Sequence, residues 1–423
     1  MSYYPARTRA YWYSLSTACG LAADSIRAHK LRSVLTLLGI IIGVGSVVLV
    51  GAAIDGLGVY AEQSTAKAFG TDSYLVAQIA QVGRSTPSER AAKLRRNKRI
   101  RQEDVEYLRE TTGDQILYSP YRVRIEDAKR DNDTFEGASI LGVAAALAEI
   151  RDVAIDQGRF FTEQEERTRQ NVCVIGVDVA QTLFPDGSPI DRFIKIRGFD
   201  FRVVGLQEKL GSAGGQSQDN QIYMPVASYN RLFGVDPTMA VFGKPRPGTG
   251  LNLESGLDVT RSALRSRFGT RPGEADNFDT LTPDAIRGFV DQILGLIKAV
   301  VIPVTMISLV VGGVVIMNIM LVSVTERTRE IGIRKSLGAR QDDIMLQFLV
   351  EAVLLAMMGG AIGLALGAVF AELLSLLLAV RLPVSMTYVV LALVVSTLAG
   401  VLSGWYPALR AARMDPITAM RAE

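Results

Sequence analysis

The sequence predicts a membrane protein: four transmembrane α-helices plus a mixed α/β extracytoplasmic domain carried between the first and second spans. Three observations point there. Four apolar stretches are long enough to cross a bilayer, basic residues flank them unevenly, and 48% hydrophobic residues coexist with 21% charged ones, so apolar and polar segments alternate along the chain. At 423 residues the chain exceeds one ordinary globular unit. Its formal net charge of +3 gives no field that would recruit nucleic acid.

The N-terminal segment, residues 1–33, spaces Trp12, Leu15, Cys19, Ala22 and Ile26 three and four apart beside Tyr11 and Tyr13. This predicts an amphipathic helix on the cytoplasmic membrane surface, either anchored in lipid or docked on a cytoplasmic subunit. A helix needs about 20 apolar residues to cross roughly 30 Å of hydrocarbon. Residues 34–54, 299–324, 348–371 and 386–406 meet that length. The first is longer than a signal-peptide core, and so much chain precedes it that a retained span is expected.

Basic residues are kept on the cytoplasmic side. Arg7, Arg9, Arg27, Lys30 and Arg32 precede the first span, and Arg327, Arg329, Arg334, Lys335 and Arg340 lie between the second and third. Arg410, Arg413 and Arg421 follow the fourth, whereas the outer link at 372–385 has only Arg381. Both termini (the tail being 407–423) and the 325–347 segment are therefore expected in the cytoplasm, and residues 55–298 outside it.

Within 55–298, Asp55 to Gly70 and Thr282 to Lys298 are helix-compatible and would prolong two spans as a stalk. Alternating residues predict strands at Asn171 to Ile175, Phe193 to Ile196 and Phe201 to Leu206. The basic stretch Gly83 to Arg101 lacks apolar periodicity and reads as a solvated loop or helix face, or a contact for an acidic partner. Gly211 to Gln221 reads as an exposed flexible loop.

Small residues four apart mark close helix contacts in membranes. Gly39 with Gly43, the row Gly359, Gly363 and Gly367, and Gly400 with Gly404 are the packing candidates. Glu351 and Glu372 lie near the ends of the third span and read as structural acids. His29 is the sole histidine, and Cys19 and Cys173 fall on opposite sides of the membrane, so neither a metal site nor an internal disulfide is expected. No Ser/His/Asp or Cys/His set supports catalysis on this chain.

The segment Ser323-Val-Thr-Glu-Arg-Thr-Arg-Glu-Ile-Gly-Ile-Arg-Lys-Ser-Leu-Gly-Ala-Arg340, followed by Asp343 to Glu351, closely resembles the signature of the MacB/FtsX-like permeases of the ABC superfamily. Three further places agree in order. Lys30 to Val44 is similar to that family's approach to its first span, and Tyr406-Pro-Ala-Leu-Arg-Ala-Ala-Arg-Met-Asp-Pro416 to its tail. Gly158-Arg-Phe-Phe, Cys173-Val-Ile-Gly176, Leu183-Phe-Pro185 and Pro189-Ile190 are similar to its outer core.

The resemblance implies an outer domain of two subdomains, a mixed core at about 135–230 being inserted into a smaller part next to the stalk. It implies a permease of an export or mechanotransmission complex, paired with a second copy or a related permease and joined to a periplasmic adaptor. An ABC ATPase would grip the 325–347 coupling loop through Glu326, Arg327, Arg329, Glu330, Gly332, Arg334, Lys335, Gly338 and Ala339. No Gly-x-x-x-x-Gly-Lys-Ser/Thr loop occurs, since Gly243-Lys244 is followed by Pro245, so the ATPase, with its ATP and Mg, is expected on a separate subunit and this chain to hold no cofactor. The resemblance also leaves room for a lipoprotein-releasing permease or a transmembrane regulator of an envelope hydrolase, and the topology alone for a signalling protein.

Overall fold

The structure, a computed structural model, describes residues 30–421 apart from 84, 186, 214, 215, 236, 237 and 379. The expected interfacial helix, with Trp12, Cys19 and His29, lies outside the described residues. Two compact units emerge: residues 1–60 with 292–423, and residues 61–291.

The chain enters on α1 (Lys30–Phe69), a single helix through both the first apolar stretch and the helix-compatible segment after it. Gly70, at φ +78°, ends it by taking the left-handed conformation that only glycine adopts without strain. Then follow β1 (Tyr74–Ala77), α2 (Pro87–Arg96), α3 (Gln102–Thr112), β2 (Ile116–Arg130), β3 (Asp133–Val143), α4 (Leu147–Ile150) and β4 (Ile155–Gly158). Next come α5 (Glu163–Arg167), β5 (Val172–Ile175), α6 (Val177–Leu183), β6 (Phe193–Ile196), β7 (Phe199–Gln207), β8 (Ser212–Ala213), β9 (Gln216–Ser217) and β10 (Gln221–Pro225). The unit closes with α7 (Val226–Phe233), β11 (Ala240–Pro245), α8 (Leu253–Phe268) and β12 (Asp279–Leu281).

Ten strands form one sheet in the order β12-β1-β11-β2-β3-β10-β5-β7-β4, with β6 bridging β2 and β7. That bridge closes a ring. Ala128 of β2 pairs with Phe135 of β3 and also with Ile196 of β6, so β2, β3, β10, β5, β7 and β6 return on themselves. Each of the six contributes to one buried cluster, including Ala128, Ile140, Cys173, Ile196, Phe201 and Ile222, sealed by Val179 and Leu183 of α6 and Tyr229 of α7. The ring uses β2 from Tyr121 onward, so the expected boundary near 135 falls inside the β2–β3 hairpin.

The other subdomain is built on the open part of the sheet. Alternate residues of β2 face opposite ways. Ile116 and Tyr118 join α3 and α8 residues Leu108 and Leu264, while Leu117 joins Phe69, Leu141 and Phe242. The buried hydroxyls of Tyr74 and Tyr118 meet at Thr260, which lies 2.5 Å from Tyr74 and 2.7 Å from Tyr118, while Thr112 reaches the Tyr118 hydroxyl at 2.8 Å and donates to the Leu108 carbonyl.

The basic stretch from Gly83 contains the helix α2, which buries none of its residues. So short a helix is marginal alone in water. It is held by a capping box between Thr86 and Glu89 and by Lys93, whose Nζ lies 2.6 Å from Asp279. The expected loop at 211–221 instead carries the small β8–β9 pair, and Asp219 is buried where it accepts from the Leu210 and Gly211 N–H groups.

The first unit is helical: the membrane part of α1, then α9 (Pro283–Glu326), α10 (Thr328–Ser336), α11 (Gln341–Leu378), α12 (Met386–Ala412) and α13 (Pro416–Arg421). Four of these, α1, α9, α11 and α12, are long and apolar enough to cross a membrane. Small residues set their spacing. A Cβ on Gly363 would lie 2.8 Å from the Ile41 carbonyl, one on Gly39 2.7 Å from Gly312 Cα, and one on Gly400 2.8 Å from Ala356 Cβ. So α1 meets α11 and α9 backbone to backbone, and α12 meets α11, around Ile40, Val44, Phe348, Ala352 and Ala356.

Candidate functional site

The segment expected to be a coupling loop is a helix with a break in helical geometry at each end. α9 stops at Glu326, Arg327 leaves helical geometry at φ −100° and ψ 16°, and α10 begins at once. At its far end Gly338, at φ +96°, turns the chain toward α11, with the Gly338 and Ala339 N–H groups donating to the Lys335 and Arg334 carbonyls at 3.0 Å. Gly332 is not a turn residue. It is buried inside α10, where a Cβ would stand 2.9 Å from the Ala419 Cβ of α13, so a bare backbone here lets the two helices lie together.

Three of the site's cations are turned inward. Arg327 Nη1 lies 3.3 Å from Glu351 Oε2, and Glu351 is only 4% exposed on α11. Arg334 donates to Gln347 Oε1 at 2.7 Å and pairs with Glu330 one turn earlier. Lys335 donates to the carbonyls of Ala412 and Met414, both at 2.6 Å. Those carbonyls end α12, where the helix dipole is negative and a cation is favoured. α10 is thereby tied to α11 by two arginines and to α12 by a lysine.

What faces outward is of mixed character. Glu326, Arg329, Glu330, Gly338 and Arg340 are exposed. Beside them Leu337 is 83% exposed and Ile333, one turn away, is also uncovered, as are Ile417 and Met420 on α13. Exposed apolar side chains thus lie in a charged surround, on a helix braced from behind.

Two family models match the chain: a MacB-like periplasmic core domain over residues 33–259, and an FtsX-like permease C-terminal model over residues 303–416. The first covers more than half of the sequence. The chain belongs to the MacB/FtsX-like family of ABC transporter permeases. Among curated members of that family, the macrolide export ATP-binding/permease protein MacB of Bdellovibrio bacteriovorus is 35% identical over 411 residues, which is 95% of this chain and 61% of that protein. The chain thus spans 61% of the length of that relative. An ABC transporter permease, YknZ of Bacillus subtilis, is 31% identical over 406 residues, 95% of this chain and 98% of the other. A crystal structure of the periplasmic region of MacB from Actinobacillus actinomycetemcomitans aligns with a TM-score of 0.42 and 17% identity, covering 53% of this chain and 95% of that one.

In this MacB/FtsX-like permease, all nine residues singled out between the second and third spans come together on or beside α10. Three groups that matter to their arrangement escape a reading of charge alone, Gln347, the α12 terminus and α13, as does the pairing of Glu351 with Arg327. Leu337 does carry a signal, being a leucine four residues after Ile333 in an otherwise charged segment. Of the two acids at the third span, Glu351 joins the site and Glu372 is exposed at the other end of α11. Among the described residues no cluster of His, Cys, Asp and Glu could hold a metal. Cys173 is buried inside the ring, and burial pushes its thiol well above the usual range, which keeps it protonated and unreactive.

Proposed function

We propose that this chain is the membrane permease of an ABC-type export or mechanotransmission complex. ATP, with Mg, is hydrolysed on a separate ATPase subunit; that subunit docks on α10 and α13, and its closure moves the periplasmic domain and expels a substrate. No catalysis is assigned to this chain. In this reading the protein sits in the inner membrane with both termini cytoplasmic, paired with a second permease copy and working with a periplasmic adaptor.

The observation that carries the proposal is the bracing of α10. A push on Leu337 or Ile333 cannot be absorbed by a loose loop, because Arg327, Arg334 and Lys335 anchor the helix to its neighbours. At about 1.5 Å per residue the 40-residue α1 and the 44-residue α9 are each longer than a bilayer is thick.

The test is whether an ABC ATPase co-purifies with the full chain from its native membranes. Leu337→Asp should weaken that association by at least about tenfold, as expected for an apolar anchor replaced by a charge, while the thermal midpoint of the permease stays unchanged because the residue is exposed. Full association by the variant, or recovery of a lipoprotein or an envelope hydrolase in place of an adaptor, would redirect the assignment.

A further inference from the structure

Away from α10, the soluble unit carries a shallow pocket of about 390 Å³ lined by Arg169, Gln170, Asn171, Phe193, Arg202 and Arg231. Three guanidinium groups line one depression. Phe193 on β6 stands directly opposite Arg202 on β7, so both residues belong to the outer face of the closed ring of strands. Phe193 is 57% exposed, although its strand neighbours Ile194 and Ile196 are fully buried. Arg231, from α7, donates to the Asn171 side-chain carbonyl, which fixes it at the pocket.

Little negative charge answers these cations. Arg202 meets Asp191 at 3.5 Å, and that carboxylate is itself 73% exposed. Arg169 pairs with no acid among the described residues. Its backbone is also unusual: at φ +55° it occupies the left-handed region that favours glycine or asparagine. Like charges gathered without compensation raise the local affinity for an anion, and guanidinium forks match the planar oxygens of carboxylates and phosphates. The exposed aromatic ring beside them suits an apolar substituent.

We propose that this pocket binds an organic oxyanion, a carboxylate or phosphate monoester bearing an apolar arm, with the oxyanion among Arg169, Arg202 and Arg231 and the arm on Phe193. Its volume fits a small ligand rather than a folded partner. The site is independent of the coupling surface, so it is tested without an ATPase.

Calorimetric titration of the full chain, purified in a phosphate-free sugar detergent at constant ionic strength, is the experiment. The probes are inorganic phosphate, phenyl phosphate, benzoate and the neutral benzyl alcohol. Phenyl phosphate or benzoate should bind saturably, phenyl phosphate at least about fivefold tighter than inorganic phosphate, and benzyl alcohol not at all. The tighter of phenyl phosphate and benzoate identifies the natural head group. Arg169→Asn, which suits the left-handed backbone, should weaken the tighter probe at least about fivefold. Phe193→Ala, at an exposed position that leaves the fold intact, should erase the advantage of phenyl phosphate over inorganic phosphate. Absence of saturable binding at millimolar concentrations, equal binding of phenyl and inorganic phosphate, or indifference to both substitutions overturns the proposal.

Discussion

Arg327 and Glu351 form an ion pair at the point where α9 gives way to α10, and the acid is almost wholly buried. Removing one partner of such a pair leaves the other charge poorly solvated, which costs more than the pair itself contributes. Glu351→Ala should therefore lower stability by about 2 kcal/mol or more, read as a drop in thermal midpoint in detergent, and Glu351→Gln should cost less because it can still accept from Arg327. A different carboxylate sets an acid limit. Glu165, at a capping box with Thr162, accepts from Arg159 at 2.7 and 2.8 Å, and the guanidinium holds its pKa down to about 2 from the ordinary value near 4.5. A carboxyl depressed by folding stabilises above the unfolded value and loses that contribution as pH falls toward the folded one. Stability should thus decline between about pH 4.5 and 2, and Glu165→Gln should flatten that stretch in a pH series of thermal melts.

At the scale of elements, helix contacts separate into those made with backbone and those made with side chains. Alanine at Gly39 would press on the Gly312 backbone, which cannot yield without parting α1 from α9. At Gly43 the obstacle is the far end of Leu309, a side chain that can rotate away. Gly39→Ala should therefore destabilise by about 1–3 kcal/mol, the usual cost of overpacking, and Gly43→Ala by much less, although both glycines belong to the same four-residue repeat. Comparing their melting in detergent checks this. The repeat was visible in the amino-acid order; the rigidity of what each glycine faces was not. For the same reason the alternation from Phe193 to Ile196 gives β6 at its observed bounds, since alternation is local, whereas Thr328–Ser336, with Ile331 and Ile333 as its only large apolar residues, carries no stripe that marks a helix, and α13 with the ends of α11 and α12 covers its inner side.

Across the whole molecule, the proposed mechanism requires α9 to transmit force along its length. Two glycines inserted after Gln292 would soften that rod beyond its membrane part, since glycine interrupts helical stiffness at about 1 kcal/mol per residue. The insertion should leave ATPase association and basal hydrolysis intact while abolishing transport; transport at the normal rate would mean that α9 is not the rod.

Four apolar lengths, the uneven distribution of lysine and arginine, the alternation in the strands and the signature between the second and third spans are local quantities, and the amino-acid order determined from them a four-span permease with a mixed outer domain. Tertiary structure alone decided that Arg327 faces Glu351, that β6 closes β2 and β7 into a ring, and that Arg169, Arg202 and Arg231 converge on one pocket. Arg327 and Glu351 lie 24 positions apart, and Lys129 of β2 and its β6 partner Lys195 lie 66 apart, and only the folding of the chain through three dimensions brings such distant groups within reach of each other's charges and hydrogen bonds.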